Sequence, residues 1–124
     1  MPSNQNTPSL SRIAIYTRDM TKLAAFYQTH FEFEIGIDEE GYIELNQPGG
    51  LRNIILLQAS KGRRIGQSCI KLVFDVQDVE KFKKTAAKRG LKFGASHDGG
   101  GYHYSNARDP SKNLVQLSDR RYHK

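Results

Sequence analysis

The sequence predicts an α+β fold: two βαβββ modules forming a curved mixed β-sheet around a cleft, with the helices outside. Three observations predict it. The stretch KLVFDVQDVEKF at 71–82 repeats the pattern of RIAIYTRDMTKL at 12–23, 59 positions further on. Each copy runs from a cation through alternating apolar residues to an Asp, then passes into helical spacing. Each is followed by three short strand-like runs separated by turn residues.

The first module occupies 11–60. In residues 12–17, Ile13 and Ile15 fall on one face of a strand and Arg12, Ala14 and Tyr16 on the other, because successive side chains point to opposite sides. Asp19 is an N-cap for a helix with Met20, Leu23, Phe26, Tyr27 and His30 at helical spacing. Strands are predicted at EFEIGIDE (32–39), YIELN (42–46) and RNIILLQAS (52–60), with Gly41 and QPGG (47–50) as turns. KGRRIGQS (61–68) reads as a linker.

The second module, 69–119, starts again. Lys71, Val73 and Asp75 share one strand face, and Leu72, Phe74 and Val76 the other. Asp78 caps a helix whose apolar stripe is Val79, Phe82 and Ala86, and Gly90 ends it. Strand signals follow at LKFGAS (91–96), GYHYSN (101–106) and NLVQLS (113–118), with DPSKN (109–113) as a turn. Residues 1–10 read as a disordered leader and 120–124 as a tail. A helix covers only one face of a sheet, so two such modules can curl their open faces into a shared cleft of small-molecule size.

A chain of 124 residues is one domain with room for a core. It contains no apolar run long enough to span a bilayer, so no membrane partner is expected. The net charge of +6 comes from 19 Lys and Arg against 13 Asp and Glu. These cations are scattered, with small groups at KGRR (61–64), KFKK (81–84) and DRRY (119–122). That distribution describes a solvated surface and not a nucleic-acid footprint. The single cysteine, Cys69, forms no internal disulfide, which suits a reducing, cytoplasmic location.

The motifs RIAIYTRDMTKLAAFYQTHFEF, KLVFDVQDVEKFKKTAAKRGLKF and RDPSKNLVQL, in this order, resemble the vicinal oxygen chelate superfamily. That group includes glyoxalase I, extradiol dioxygenases, fosfomycin-resistance enzymes and bleomycin-resistance proteins. The resemblance runs from about Ser11 to Asp119 and implies homodimers, with clefts that form between chains where modules are exchanged. It also implies a divalent metal held by one side chain from each of four strands, at positions that fall on Arg12, Leu56, Lys71 and Gln116. Charged guanidinium and ammonium groups cannot ligate a cation, and Leu has no donor. One neutral amide oxygen does not hold a hard ion. The four histidines, His30, His97, His103 and His123, show no ligand spacing. No metal and no cofactor are therefore expected.

The ligand-binding candidates are Arg12, Tyr16, Leu56, Lys71, Asp75 and Gln116. Two readings compete for Arg12 and Lys71: a hook for an anionic or strongly polarised oxygen, or an internal ion network with Asp75 and Glu44. Tyr16 and Tyr42 are either a flat contact surface or packing residues. Leu56 is cleft wall or core filler, and Gln116 is a neutral orienting group or a solvated strand residue. DGGGYHYSN (98–106) is a mobile flap or a plain turn, and no phosphate loop. His103 is the one histidine considered for acid–base work, and Cys69 reads as a small buried residue. The functional expectation is a metal-free small-molecule binding protein of the glyoxalase/bleomycin-resistance type, with a cleft suited to an anionic or polarised-oxygen ligand, assembled as a homodimer. The alternatives are a metal-dependent lyase, isomerase or dioxygenase, or a metal-independent enzyme. In the latter, Lys71 or His103 moves a proton and Arg12 steadies an enolate.

Overall fold

The computed structural model describes residues 12–50, 52–62 and 71–123. Strand β1 (Arg12–Thr17) leads to helix α1 (Met20–Phe31), then to β2 (Glu34–Glu39), β3 (Tyr42–Asn46) and β4 (Asn53–Gln58). The second module repeats the order with β5 (Lys71–Asp75), α2 (Val79–Lys88), β6 (His97–Asp98), β7 (His103–Arg108) and β8 (Leu114–Ser118). The predicted leader, residues 63–68 of the predicted linker and Cys69 lie outside the described residues. Within the predicted tail, Arg120–Tyr122 forms a 3₁₀ turn.

Both helices start as their sequences dictate. The Asp19 carboxylate accepts from the Lys22 backbone N–H at 2.9 Å, and Asp78 accepts from Lys81 at 3.0 Å, each satisfying a donor that a helix start leaves orphaned. Gly90, at φ +94°, carries the chain out of α2, a backbone region that costs glycine nothing. Helix α1 ends without a glycine: Glu32 takes φ 59° and its N–H returns to the Tyr27 carbonyl.

The two-module α+β architecture is present, but the strands form two four-stranded sheets, ordered β1-β4-β3-β2 and β5-β8-β7-β6. In each, the first strand is an edge that pairs in parallel with the last, from Arg12↔Asn53 to Thr17↔Gln58 and from Lys71↔Leu114 to Asp75↔Ser118. The other pairings are antiparallel. The strand predicted at 91–96 does not form. Leu91 and Phe93 are buried as core residues, and the segment touches β7 through Gly94, whose N–H donates to the Asn106 carbonyl at 2.9 Å. Pairing with β7 covers only His97 and Asp98.

The helix-covered faces of both sheets share one core, which includes Leu23, Tyr27, Leu45, Leu56, Val115 and Leu117. The modules meet through this shared core. Phe31 at the end of α1 stacks on Phe74 of β5 at 4.0 Å and lies near-parallel to Phe82 of α2 at 5.8 Å. Phe33 meets Phe74 edge-on at 6.2 Å. Aromatic pairs of this kind contribute about 0.5–1.5 kcal/mol beyond the area they bury. Nearby, the Tyr27 hydroxyl donates to Asp109 Oδ2 at 2.8 Å, and the Thr17 and Ser111 hydroxyls share a hydrogen bond at 2.7 Å. Asp109 also accepts from the Ser111 and Asn113 backbone N–H groups, both at 2.9 Å, which folds the DPSKN turn around it.

Candidate functional site

The faces turned away from the helices are open. On the first sheet, Arg12, Ala14 and Tyr16 of β1 lie beside Asn53, Ile55 and Leu57 of β4. Tyr42 and Glu44 of β3 sit opposite Leu57 and Ile55. On the second sheet, Lys71, Val73 and Asp75 of β5 lie beside Leu114, Gln116 and Ser118 of β8, with Asn106 opposite Gln116. Tyr16 keeps 37% of its surface exposed and Val73 keeps 51%. These are large side chains left partly exposed.

Arg12 and Lys71 occupy corresponding places, each at the head of an edge strand and each exposed. The ion network among Arg12, Lys71, Asp75 and Glu44 is not formed. Glu44 instead accepts from Asn53 Nδ2 at 3.2 Å, and Asp75 faces Arg121 at 3.9 Å. Among the described residues the two leading cations have no carboxylate partner.

Gln116 is on the open face but only 8% exposed. Its amide nitrogen donates to Asn106 Oδ1 at 2.9 Å, which fixes the amide and leaves its oxygen as an acceptor. Leu56 lies on the other face of its strand. It is fully buried on the helix side, opposite Ile15 and Ile43, so Ile55 and Leu57 take the open-face places in its strand. A period of two admits no compromise: one step along a strand reverses the face.

His103 also lies apart from these residues. It shares the strand parity of the buried Ser105 and Ala107, and it is tied to Asp119. Its backbone N–H donates to Asp119 Oδ1 at 2.7 Å, and its Nδ1 is 3.4 Å from Oδ2. His123 approaches the same oxygen at 3.2 Å through Nε2. Burial pushes the Asp119 pKa up, but the His103 N–H and the two imidazoles outweigh it, and the carboxyl sits below its ordinary value. Sequence reading missed this cluster because nothing at 103, 119 and 123 marks a strand start folding back onto the chain's last turn. The glycine-rich segment forms the β6–β7 turn, where Asp98 Oδ1 accepts from the N–H groups of Gly100 and Gly101 at 2.9 and 3.2 Å.

The open faces do not fit a divalent metal. The four strand positions expected to supply ligands carry two cations, a core leucine and one amide. Among the described residues no three His, Cys, Asp or Glu side chains form a group that could hold a metal ion. No described helix is long and apolar enough to cross a membrane.

A family model described as Glyoxalase/Bleomycin resistance protein/Dioxygenase superfamily matches residues 9–117. No curated protein matches the chain. Among solved structures, the antibiotic-binding protein TnmS3 from Streptomyces sp. CB03234 superposes with a TM-score of 0.77 at 16% identity, covering 92% of this chain and 97% of that one. Lactoylglutathione lyase from Agrobacterium tumefaciens gives 0.72 at 18% identity, covering 92% and 95%. A member of the glyoxalase/bleomycin resistance protein/dioxygenase superfamily from Sphaerobacter thermophilus DSM 20745 gives 0.74 at 22% identity, covering 90% and 97%.

Proposed function

The chain belongs to the glyoxalase/bleomycin resistance protein/dioxygenase superfamily, and we propose that it binds, without a metal ion, a small molecule carrying an anionic or strongly polarised oxygen. One observation carries this reading: Arg12 and Lys71 lead two edge strands, exposed and, among the described residues, without carboxylate partners, on faces where Glu44 and Asp75 are engaged by Asn53 and Arg121 and the other lining groups are apolar or neutral. A fixed cation beside apolar wall suits a ligand with a charged oxygen and an apolar body. The similarity to an antibiotic-binding protein supports capture as the activity, and the poor donor set weighs against the metal chemistry of the lyase relative.

In this reading the cleft is completed by a second copy of the chain. We place module one of one chain against module two of its partner in a homodimer, which covers Tyr16 and Val73 and brings Arg12 toward the partner's second sheet. The cytoplasm is the location this reading assigns, on the strength of a single cysteine.

Thermal-shift titration with benzoate and with inorganic phosphate tests the reading. At least one of them stabilises the wild-type chain, and Arg12→Ala loses roughly tenfold or more in affinity, the scale of one charge-assisted hydrogen bond. Stabilisation by neither anion, or an unaltered response in Arg12→Ala, refutes it. A stoichiometric metal in the purified protein refutes the metal-free part.

A further inference from the structure

The repeat makes the two junctions between the modules comparable, and they are not alike. Fifty-nine positions separate equivalent residues through the first strand and helix, so Tyr27 corresponds to Ala86 and Thr17 to Val76. Strands β3 and β7 each run into an X-Pro turn, so Gln47-Pro48 corresponds to Asp109-Pro110, and Gly49 to Ser111. At the first junction, Tyr27 reaches Asp109 and Thr17 reaches Ser111, at 2.8 and 2.7 Å. At the second, the equivalent pairs are Ala86 with Gln47 and Val76 with Gly49. Alanine and glycine have nothing to reach with, and Gln47 turns back to donate to the Phe31 carbonyl at 2.7 Å.

A cavity of about 890 Å³ lies at this second junction, bordered by Gln47, Gly49, Val76 and Ala86 among others. This is within the usual range of small-molecule sites. Phe31, Phe74 and Phe82 supply an aromatic wall, with Phe31 stacked on Phe74 at 4.0 Å. Four cations border it, Arg52, Lys71, Arg89 and Arg121, against Glu32 and Asp75. Arg89 places one nitrogen on the Thr29 carbonyl at 3.2 Å, a use of one donor out of five. His30, also on the lining, keeps a buried Nδ1 without a hydrogen-bond partner. Burial and the neighbouring Arg89 charge lower its pKa, so it adds no charge near neutral pH.

We propose that this junction cavity is a binding site separate from the open sheet faces, and that it takes a small, flat aromatic carboxylate. The ring lies against the phenylalanine wall, and the carboxylate meets the Arg89 guanidinium. The excess of cation over carboxylate at the rim favours an acid over a neutral molecule of the same shape. The inference does not depend on the open-face reading. Asn53, Lys71, Val73 and Asp75 border both places, so the test turns on residues that belong to only one.

Isothermal titration with 2-naphthoate, and with neutral 2-naphthalenemethanol as its counterpart, provides the test. The acid binds more tightly than the alcohol. Ala86→Tyr, which restores the residue of the first junction, reduces 2-naphthoate affinity more than tenfold by filling the space. Arg89→Gln, a change at an exposed position, reduces it roughly tenfold and narrows the gap between acid and alcohol, while Arg12→Ala leaves it unchanged. If Ala86→Tyr does not fold, Arg89→Gln decides alone. Absence of 2-naphthoate binding overturns the inference, as does binding that Ala86→Tyr and Arg89→Gln leave intact. Loss in Arg12→Ala with neither of these affected moves the ligand to the open face, which overturns the cavity site and supports the open-face one.

Discussion

Single side chains decide more of this molecule than their positions in the sequence announce. Tyr27 is fully buried, and both burial and the Asp109 charge drive its hydroxyl pKa far above the ordinary phenol value, so it stays a donor at any working pH. Tyr27→Phe leaves Asp109 Oδ2 with Asn113 Nδ2, at 3.0 Å, as its remaining side-chain donor. We expect a loss of about 1.5–3 kcal/mol, the value of a hydrogen bond to a charged group, measured as a lower urea midpoint at constant slope. A change below about 0.5 kcal/mol would show that Asn113 and solvent suffice for that carboxylate. Sequence spacing placed Tyr27 on the buried stripe of its helix, yet gave no sign of a partner 82 positions away. Arg12 and Lys71 were legible because a cation heading an apolar strand breaks its pattern. Leu56 was not, because NIILLQ is apolar on both faces and its alternation carries no mark of which side the helix covers.

Among the elements, the two helices were readable and the sixth strand was not. Asp followed by apolar residues at helical spacing states both where a helix begins and which side it buries, and Asp19 and Asp78 perform that role. LKFGAS has alternating apolar residues as a strand does, but Leu91 and Phe93 bury against the core while the backbone pairs only at Gly94. Local pattern cannot separate a paired strand from an extended segment pinned by its side chains. The helices differ in what supports them. Helix α1 buries five residues, whereas α2 buries Val79 and Ala86 alone, so α2 leans harder on its cap. Asp78→Ala costs about 1 kcal/mol and raises amide exchange through the first turn of α2. Asp19→Ala costs a similar amount with less local fraying, because its helix stays pinned by packing. Equal exchange in the two variants would contradict this division.

At the scale of the whole molecule, the doubling was visible as a recurrence, but the way the copies face each other was not. Alternation labels two faces of a strand without saying which one a sister module will cover, and contacts such as Phe31 on Phe74 are chosen only when the chain closes. The result is a pair of sheets whose less covered faces turn, in the proposed homodimer, toward a second chain. Val73→Lys sets a charge in the middle of that pairing and weakens the dimer at least tenfold, by roughly 1.4 kcal/mol or more, as read by sedimentation velocity over a concentration series. An unchanged dimer would show that the chains associate elsewhere. The unequal junctions have a mechanical consequence as well. Tied by tyrosine and carboxylate along one seam and lacking that tie where alanine replaces the ring, the two halves are fastened unequally. A guest in the proposed junction site would press on the seam that lacks this tie, and so bear on how each half presents its strands to the outside.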